Sequence, residues 1–174
     1  MSEEPSESRR SALKVLIGLG SAAVGAVLAL PGVSYVVDPL LRSAGKRERW
    51  VPVADLEGLS EEHPVAVPVV DEQTDAWTTD PAVRLGVVWL RKKGEKVHAL
   101  TAECPHLGCK VDYQREDKHF ACPCHESKFT PEGDVRGGPA PRGLDPLDTR
   151  VVDGKVEVRF ARFRAQVAER VEIG

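Results

Sequence analysis

Two short boxes constrain this chain more than any other feature: Cys104-Pro105-His106-Leu107-Gly108-Cys109 and Cys122-Pro123-Cys124-His125-Glu126-Ser127. They supply the pairs Cys104/His106 and Cys122/His125, as C-x-H and C-x-x-H, with fifteen residues between His106 and Cys122. Each box also carries a further cysteine, Cys109 or Cys124, so the two together use all four cysteines and two of the five histidines. Crowding of this kind marks a site and not a scattered disulfide framework. Structural zinc ordinarily takes Cys–Cys and His–His pairs, whereas each half here mixes one of each and two cysteines are left over. Two disulfides with bystander histidines would be the other plain reading. Two thiolates with two imidazoles suit a [2Fe–2S] cluster in which His replaces Cys on one iron, and the two remaining cysteines can then pair with each other.

The residues around the boxes predict a small all-β scaffold. Val65–Val70 and Arg84–Arg91 read as strands, and a Lys93-Gly94 turn leads into a partner strand at Lys96–Thr101. Arg150–Val152 and Lys155–Phe160 flank Asp153-Gly154, a pair that favours a tight hairpin turn. The boxes follow the strand-like runs Val97–Ala102 and His119–Ala121, which places both on loops of the scaffold. No long amphipathic helix is expected after residue 50, and there are no internal repeats. His63, His98 and His119 fit no ligand spacing and read as surface or strand histidines. Residues 162–174 carry no pattern of their own.

The N-terminus is of another kind. From Val15 to Val37 no side chain is charged, a span of 23 residues, or roughly 34 Å of helix at about 1.5 Å per residue. A bilayer core of about 30 Å can be crossed by such a stretch with some tilt. Pro31-Gly32 is expected to kink or end that helix near its far side. Small residues at four-residue spacing (Gly18 and Ala22, Ser21 and Gly25) suit packing against other membrane helices. Ahead of the apolar run, Ser8-Arg9-Arg10-Ser11-Ala12-Leu13-Lys14 resembles a twin-arginine export signal, with Ala12 where that signal usually has Phe. An ordinary anchor, or a signal cleaved after Val27-Leu28-Ala29, are the alternatives to an uncleaved exported anchor. Asp38–Arg49, twelve residues, reads as a flexible tether reaching about 40 Å. The expected organisation is therefore anchor 1–37, tether 38–49, β domain 50–161 and tail 162–174. A net charge of −3 at pH 7 gives no electrostatic case for nucleic acid.

The boxes resemble those of Rieske iron–sulfur proteins of the cytochrome bc type, which read C-T-H-L-G-C and C-P-C-H-G-S and are followed by a G-P-A-P loop. This chain has CPHLGC, CPCHES and, at Gly138-Pro139-Ala140-Pro141, that loop itself. The resemblance implies that Cys104 and Cys122 bind one iron and His106 and His125 the other. It also implies a disulfide between Cys109 and Cys124, a hydroxyl on cluster sulfur from Ser127, and a quinol-facing ligand in His125. Leu107 would be an apolar docking contact. The partners implied are b-type and c-type cytochrome subunits, a quinol and the inner membrane, with the head on the periplasmic or outer side.

The function expected on that basis is a redox subunit of a quinol:cytochrome c reductase. The small subunit of another exported oxidoreductase, such as arsenite oxidase, is the alternative. Two departures bear on the cluster potential: Glu126 stands where the family has Gly, and Phe129 where many high-potential members have Tyr. A lost neutral hydrogen bond is worth about 1 kcal/mol, or roughly 40 mV for a one-electron couple, and a nearby carboxylate acts in the same direction. Both favour a potential in the lower or middle part of the His-ligated range of about −150 to +300 mV, suited to menaquinol.

Overall fold

The computed structural model describes residues 7–41, 49–75 and 78–173. The chain divides into two units, Met1–Gly45 and Lys46–Gly174.

The first unit is a helix, α1 (Glu7–Leu41). Its stretch Arg9–Val37 is long and apolar enough to cross a membrane, and apolar side chains from Leu13 to Val36 are exposed. The helix extends beyond the uncharged run Val15–Val37 at both sides and, of the two outcomes expected at Pro31-Gly32, does not end there; it runs on to Leu41. A proline removes one backbone bond from a helix, but in hydrocarbon every alternative to a helix leaves more groups unsatisfied. The first four tether residues are therefore helical. Residues 42–48 of the tether lie outside the described residues.

The second unit is all-β, built from β1 (Trp50–Asp55), β2 (Val65–Asp75), β3 (Thr78–Lys93), β4 (Lys96–Thr101), β5 (Asp112–Gln114), β6 (His119–Ala121), β7 (Lys128–Phe129), β8 (Val135–Gly137), β9 (Pro146–Leu147), β10 (Thr149–Val152) and β11 (Lys155–Arg159). Three antiparallel sheets form, in the orders β1-β11-β10, β2-β3-β4-β9 and β5-β6-β7-β8. The β10–β11 and β3–β4 hairpins sit where their turn residues place them, with Asp153 at φ 50° and Gly94 at φ 63°.

β2 runs on to Asp75, and β3 starts at Thr78, well before Arg84, because Pro81 does not stop it. Pro68, inside the expected strand, lies on β2, an edge strand of its sheet, where proline is tolerated. Pro81 falls where the register slips between Asp71 and Gln73, a bulge that tolerates an unpaired position.

The β2-β3-β4-β9 sheet is buried on both faces. Val88, Leu90, Val97 and Ala99 pack with Val51, Val156 and Val158 of the β1-β11-β10 sheet in one core. Trp89 and Leu100, pointing the other way by the two-residue alternation of strands, join Phe120, Phe129, Cys104 and Cys122 in a second core. Trp89 anchors that second core. Its ring lies 5.4 Å from Phe120 and its Nε1–H donates to Val111 O at 3.2 Å. The third sheet, inserted between β4 and β9, thus stands on an apolar base that includes two of the box cysteines.

Candidate metal centre

Both boxes are tips of hairpins built to one plan. Glu103 bridges Lys110 at the neck of box I, and Ala121 pairs with Lys128 at the neck of box II. In box I the Gly108 N–H donates to Cys104 O at 2.8 Å and the Cys104 N–H to Cys109 O at 2.8 Å. In box II the Glu126 N–H donates to Cys122 O at 3.1 Å and the Cys122 N–H to Ser127 O at 2.8 Å. The fifth position of each loop adopts a left-handed backbone, Gly108 at φ 77° and Glu126 at φ 57°. Glycine takes that conformation freely while other L residues are strained in it, so box II carries a local cost that box I avoids.

The loops meet at their tips. Cys109 and Cys124 are joined by a disulfide, as the family resemblance implied. The rings of His106 and His125 lie 4.8 Å apart, edge to face. Cys104 and Cys122 are the free cysteines and both are buried. The Cys104 thiol is pushed up by burial; the His106 backbone N–H opposes this, the Cys122 thiol beside it reinforces it, and the Ser127 hydroxyl, donating to the sulfur, opposes it again. The sulfurs of Cys109, Cys122 and Cys124 also lie within 4.8 Å of one another, but two of them are spent in the disulfide, so that trio offers one thiol and no metal cage.

A proline loop closes the site from behind. Gly138, at φ 92°, sits so tightly on box II that a Cβ there would lie 2.4 Å from Ser127 Cα. That approach lets the Ala140 N–H donate to Ser127 Oγ at 3.2 Å. Ser127 is fully buried between this amide and Cys104, and Phe129 is fully buried in the core beneath. Glu126 is exposed. His106 is half-buried, whereas His125 and Leu107 are exposed at the tip.

This donor set fits the expected group. A two-iron cluster needs two thiolates turned inward and two imidazoles that each keep one nitrogen free. Cys104 and Cys122 are buried side by side, and the Nδ1 of His106 is buried without a hydrogen-bond partner, as an inward metal-facing nitrogen would be. The other histidines stand apart in role. His98 lies on β4 opposite Arg91, with its pKa lowered by burial and then by Lys93 and Arg91. His63 shares its Nδ1 with Ser60 Oγ at 3.3 Å, and His119 is buried in β6.

Sequence reasoning missed the support beneath box I. Arg142 and Asp145 form an ion pair with Nη2–Oδ2 at 2.7 Å, their side chains only 10% and 6% exposed. The C-terminal residues pack against the same region. Lone charged residues at such spacing give no signal in the sequence.

Residues 49–151 match the Rieske [2Fe-2S] domain. The chain is 34% identical over 152 residues to the menaquinol:cytochrome c reductase iron-sulfur subunit of Bacillus subtilis (strain 168), covering 84% of this chain and 88% of that one. It is 32% identical over 155 residues to the subunit of the same description from Geobacillus thermodenitrificans, covering 87% and 89%. The cytochrome b6-f complex iron-sulfur subunit of Synechococcus sp. (strain JA-2-3B'a(2-13)) is 33% identical over 171 residues, covering 93% and 91%. With its mixed cysteine and histidine boxes, its bridged loop tips and this similarity along most of its length, the chain belongs to the Rieske [2Fe–2S] iron–sulfur proteins.

Proposed function

We propose that this chain is the membrane-anchored electron-transfer subunit of a quinol:cytochrome c reductase, taking an electron and a proton from quinol, with menaquinol as the donor, and passing the electron to a c-type cytochrome. The observation that carries the reading is the exposed His125 beside the half-buried His106, their rings 4.8 Å apart over two buried thiols. Cys104 and Cys122 would hold one iron, and His106 and His125 the other. When bound, the cluster supplies a one-electron acceptor at the protein surface.

The chain's own residues supply the rest. A ligated thiolate cannot cycle a proton, but an imidazole with one nitrogen outward can. With the cluster bound, His125 would hold the quinol proton on its outward ring nitrogen, coupling proton to electron. His106 shares the tip, and Leu107 offers an apolar contact to a docking partner. Ser127 donates to the sulfur it faces, and the proline loop keeps it aimed. Supporting the assembly, helix α1 would anchor the chain in the inner membrane with the head on the outer side, the Arg9-Arg10 segment serving export, and b-type and c-type cytochrome subunits would complete the enzyme.

The test is purification of the full chain with its membrane partners. Bound b-type and c-type haem with menaquinol-dependent cytochrome c reduction, lost in His125→Ala, is the expected result. A preparation without haem that is reduced by arsenite would overturn it.

The choice of menaquinol has its own measurement. Phe129 gives the site no hydroxyl, so Phe129→Tyr is expected to raise the potential by roughly 40 mV, the worth of one hydrogen bond of about 1 kcal/mol. Glu126→Gly should raise it less, since the exposed carboxylate is screened by water, while stabilising the head by about 1 kcal/mol through relief of the left-handed backbone. Protein-film voltammetry reads both. A wild-type potential near the top of the His-ligated range, or a Tyr variant that leaves it unmoved, would exclude this tuning.

A further inference from the structure

The C-terminal segment is built into the head. The Arg164 N–H donates to Val171 O at 2.9 Å and the Ile173 N–H to Arg162 O at 2.8 Å, folding the segment back on itself. At its bend the Gln166 N–H donates to Pro105 O at 2.8 Å, and Gln166 holds a left-handed φ of 64° to do so. Pro105 lies between Cys104 and His106. The next carbonyl, Val167 O, accepts from Arg142 Nη1 at 2.7 Å. The remaining guanidinium nitrogens, Nε and Nη2, grip both carboxylate oxygens of Asp145 at 2.9 and 2.7 Å. Asp145 O in turn accepts from the Thr101 N–H at 2.9 Å, and Thr101 ends β4, the strand that leads into box I.

These bonds close a ring: Thr101, box I, Pro105, Gln166 and Val167, Arg142, Asp145, and back to Thr101. A small cavity borders the ring, lined by Thr101, Cys104, Pro105, Arg142, Asp145 and Phe163 among others. Arg142 also follows the proline loop directly, so one side chain links the loop behind box II to the base of box I. A forked guanidinium–carboxylate pair fixes direction as well as distance, and such a buried pair is better evidence for a specified geometry than for net stability.

We propose that Arg142 is a positioning residue for the His106-bearing loop, acting through the C-terminal segment: by tying Val167 O to Asp145 it fixes where Gln166 meets Pro105, and so the orientation of box I around the cluster. The inference rests on His106 serving the cluster, but not on which quinol or acceptor the complex uses.

The test compares Arg142→Gln, Arg142→Lys and Asp145→Asn in the full-length, cluster-loaded chain, by amide hydrogen exchange and by EPR and potential of the reduced form. Arg142→Gln is expected to speed exchange at the Gln166 and Gly108 amides tenfold or more and to shift the EPR g-values and the potential, with Val88 and Val158 unchanged. Arg142→Lys keeps the charge beside Asp145 but not the fork; it should restore cluster content and only part of the Gln166 protection. Asp145→Asn, which loosens the other end of the tie, should also speed exchange at Gln166, though less than Arg142→Gln; wild-type exchange there would show that Arg142 holds Val167 O without Asp145 and would overturn the tie. Unchanged exchange at Gln166 in both Arg142 variants would remove the link. Faster exchange at Gln166 with Gly108 and the g-values left as in the wild type would make the segment a structural tail only. Should the Gln variant fail to fold, the Lys variant decides by the same readouts. The ligand assignment fails by a different sign, absence of the cluster signal from the wild type.

Discussion

Gly138→Ala is expected to cost the head domain about 2–5 kcal/mol and most of its bound cluster. The new methyl would sit 2.4 Å from Ser127 Cα, 2.8 Å from Ser127 N and 3.0 Å from Glu126 O. All three are backbone atoms, so no side chain can swing aside. Overpacking of a tight contact costs about 1–3 kcal/mol, and forcing alanine to the φ of 92° found here adds about 1–2 kcal/mol. The proline loop must then lift away. With it goes the Ala140 amide that holds Ser127 Oγ, and the hydroxyl loses its aim at Cys104. Thermal unfolding of the variant should begin about 10–15 °C lower, with the potential of any surviving cluster shifted downward. Gly137→Ala supplies the control, because a Cβ there meets nothing within 4 Å and should change stability by less than about 0.5 kcal/mol. Equal behaviour of the two variants would show that the proline loop does not seat on box II as described.

The same glycine shows what a sequence can and cannot disclose here. The two boxes and the proline loop were legible because metal ligation forces particular residue types into fixed local spacing. The β3–β4 and β10–β11 hairpins were legible because Lys93-Gly94 and Asp153-Gly154 state their turns locally. Local signals also misled. Pro31-Gly32 offered an end to the helix that the chain does not take, and Pro81 hid the outer half of β3 because nothing in the sequence marks the bulge that accommodates it. The support of box I was not legible at all. Gln166 meets Pro105, and Arg142 meets Val167, only after the whole domain has closed, and neither contact imposes a periodicity. The left-handed position of Glu126 was likewise hidden: glycine announces such a site, as at Gly108, whereas glutamate conceals it.

Removing the disulfide as Cys109→Ser together with Cys124→Ser is expected to abolish stable cluster binding while leaving the β1-β11-β10 sheet folded. The bridge spans a sequence separation of 15 residues, for which chain-entropy reasoning gives about 3 kcal/mol of stabilisation. That figure understates the local effect. The box tips are joined by this bond, and the second core beneath them buries Cys104 and Cys122 but touches Cys109 only at its margin. Without it each hairpin tip must hold its ligands alone. The double variant is the necessary one, because Cys109→Ser by itself would leave a Cys124 thiol within 4.8 Å of the Cys122 sulfur, a rival ligand of the same chemistry. The measurement is EPR-active cluster per chain as a dithiol reductant is titrated in. Wild-type signal should fall together with disulfide content, and the double variant should start near zero. A double variant that keeps a full wild-type signal would mean that the two hairpins converge through the apolar core and the ligands themselves.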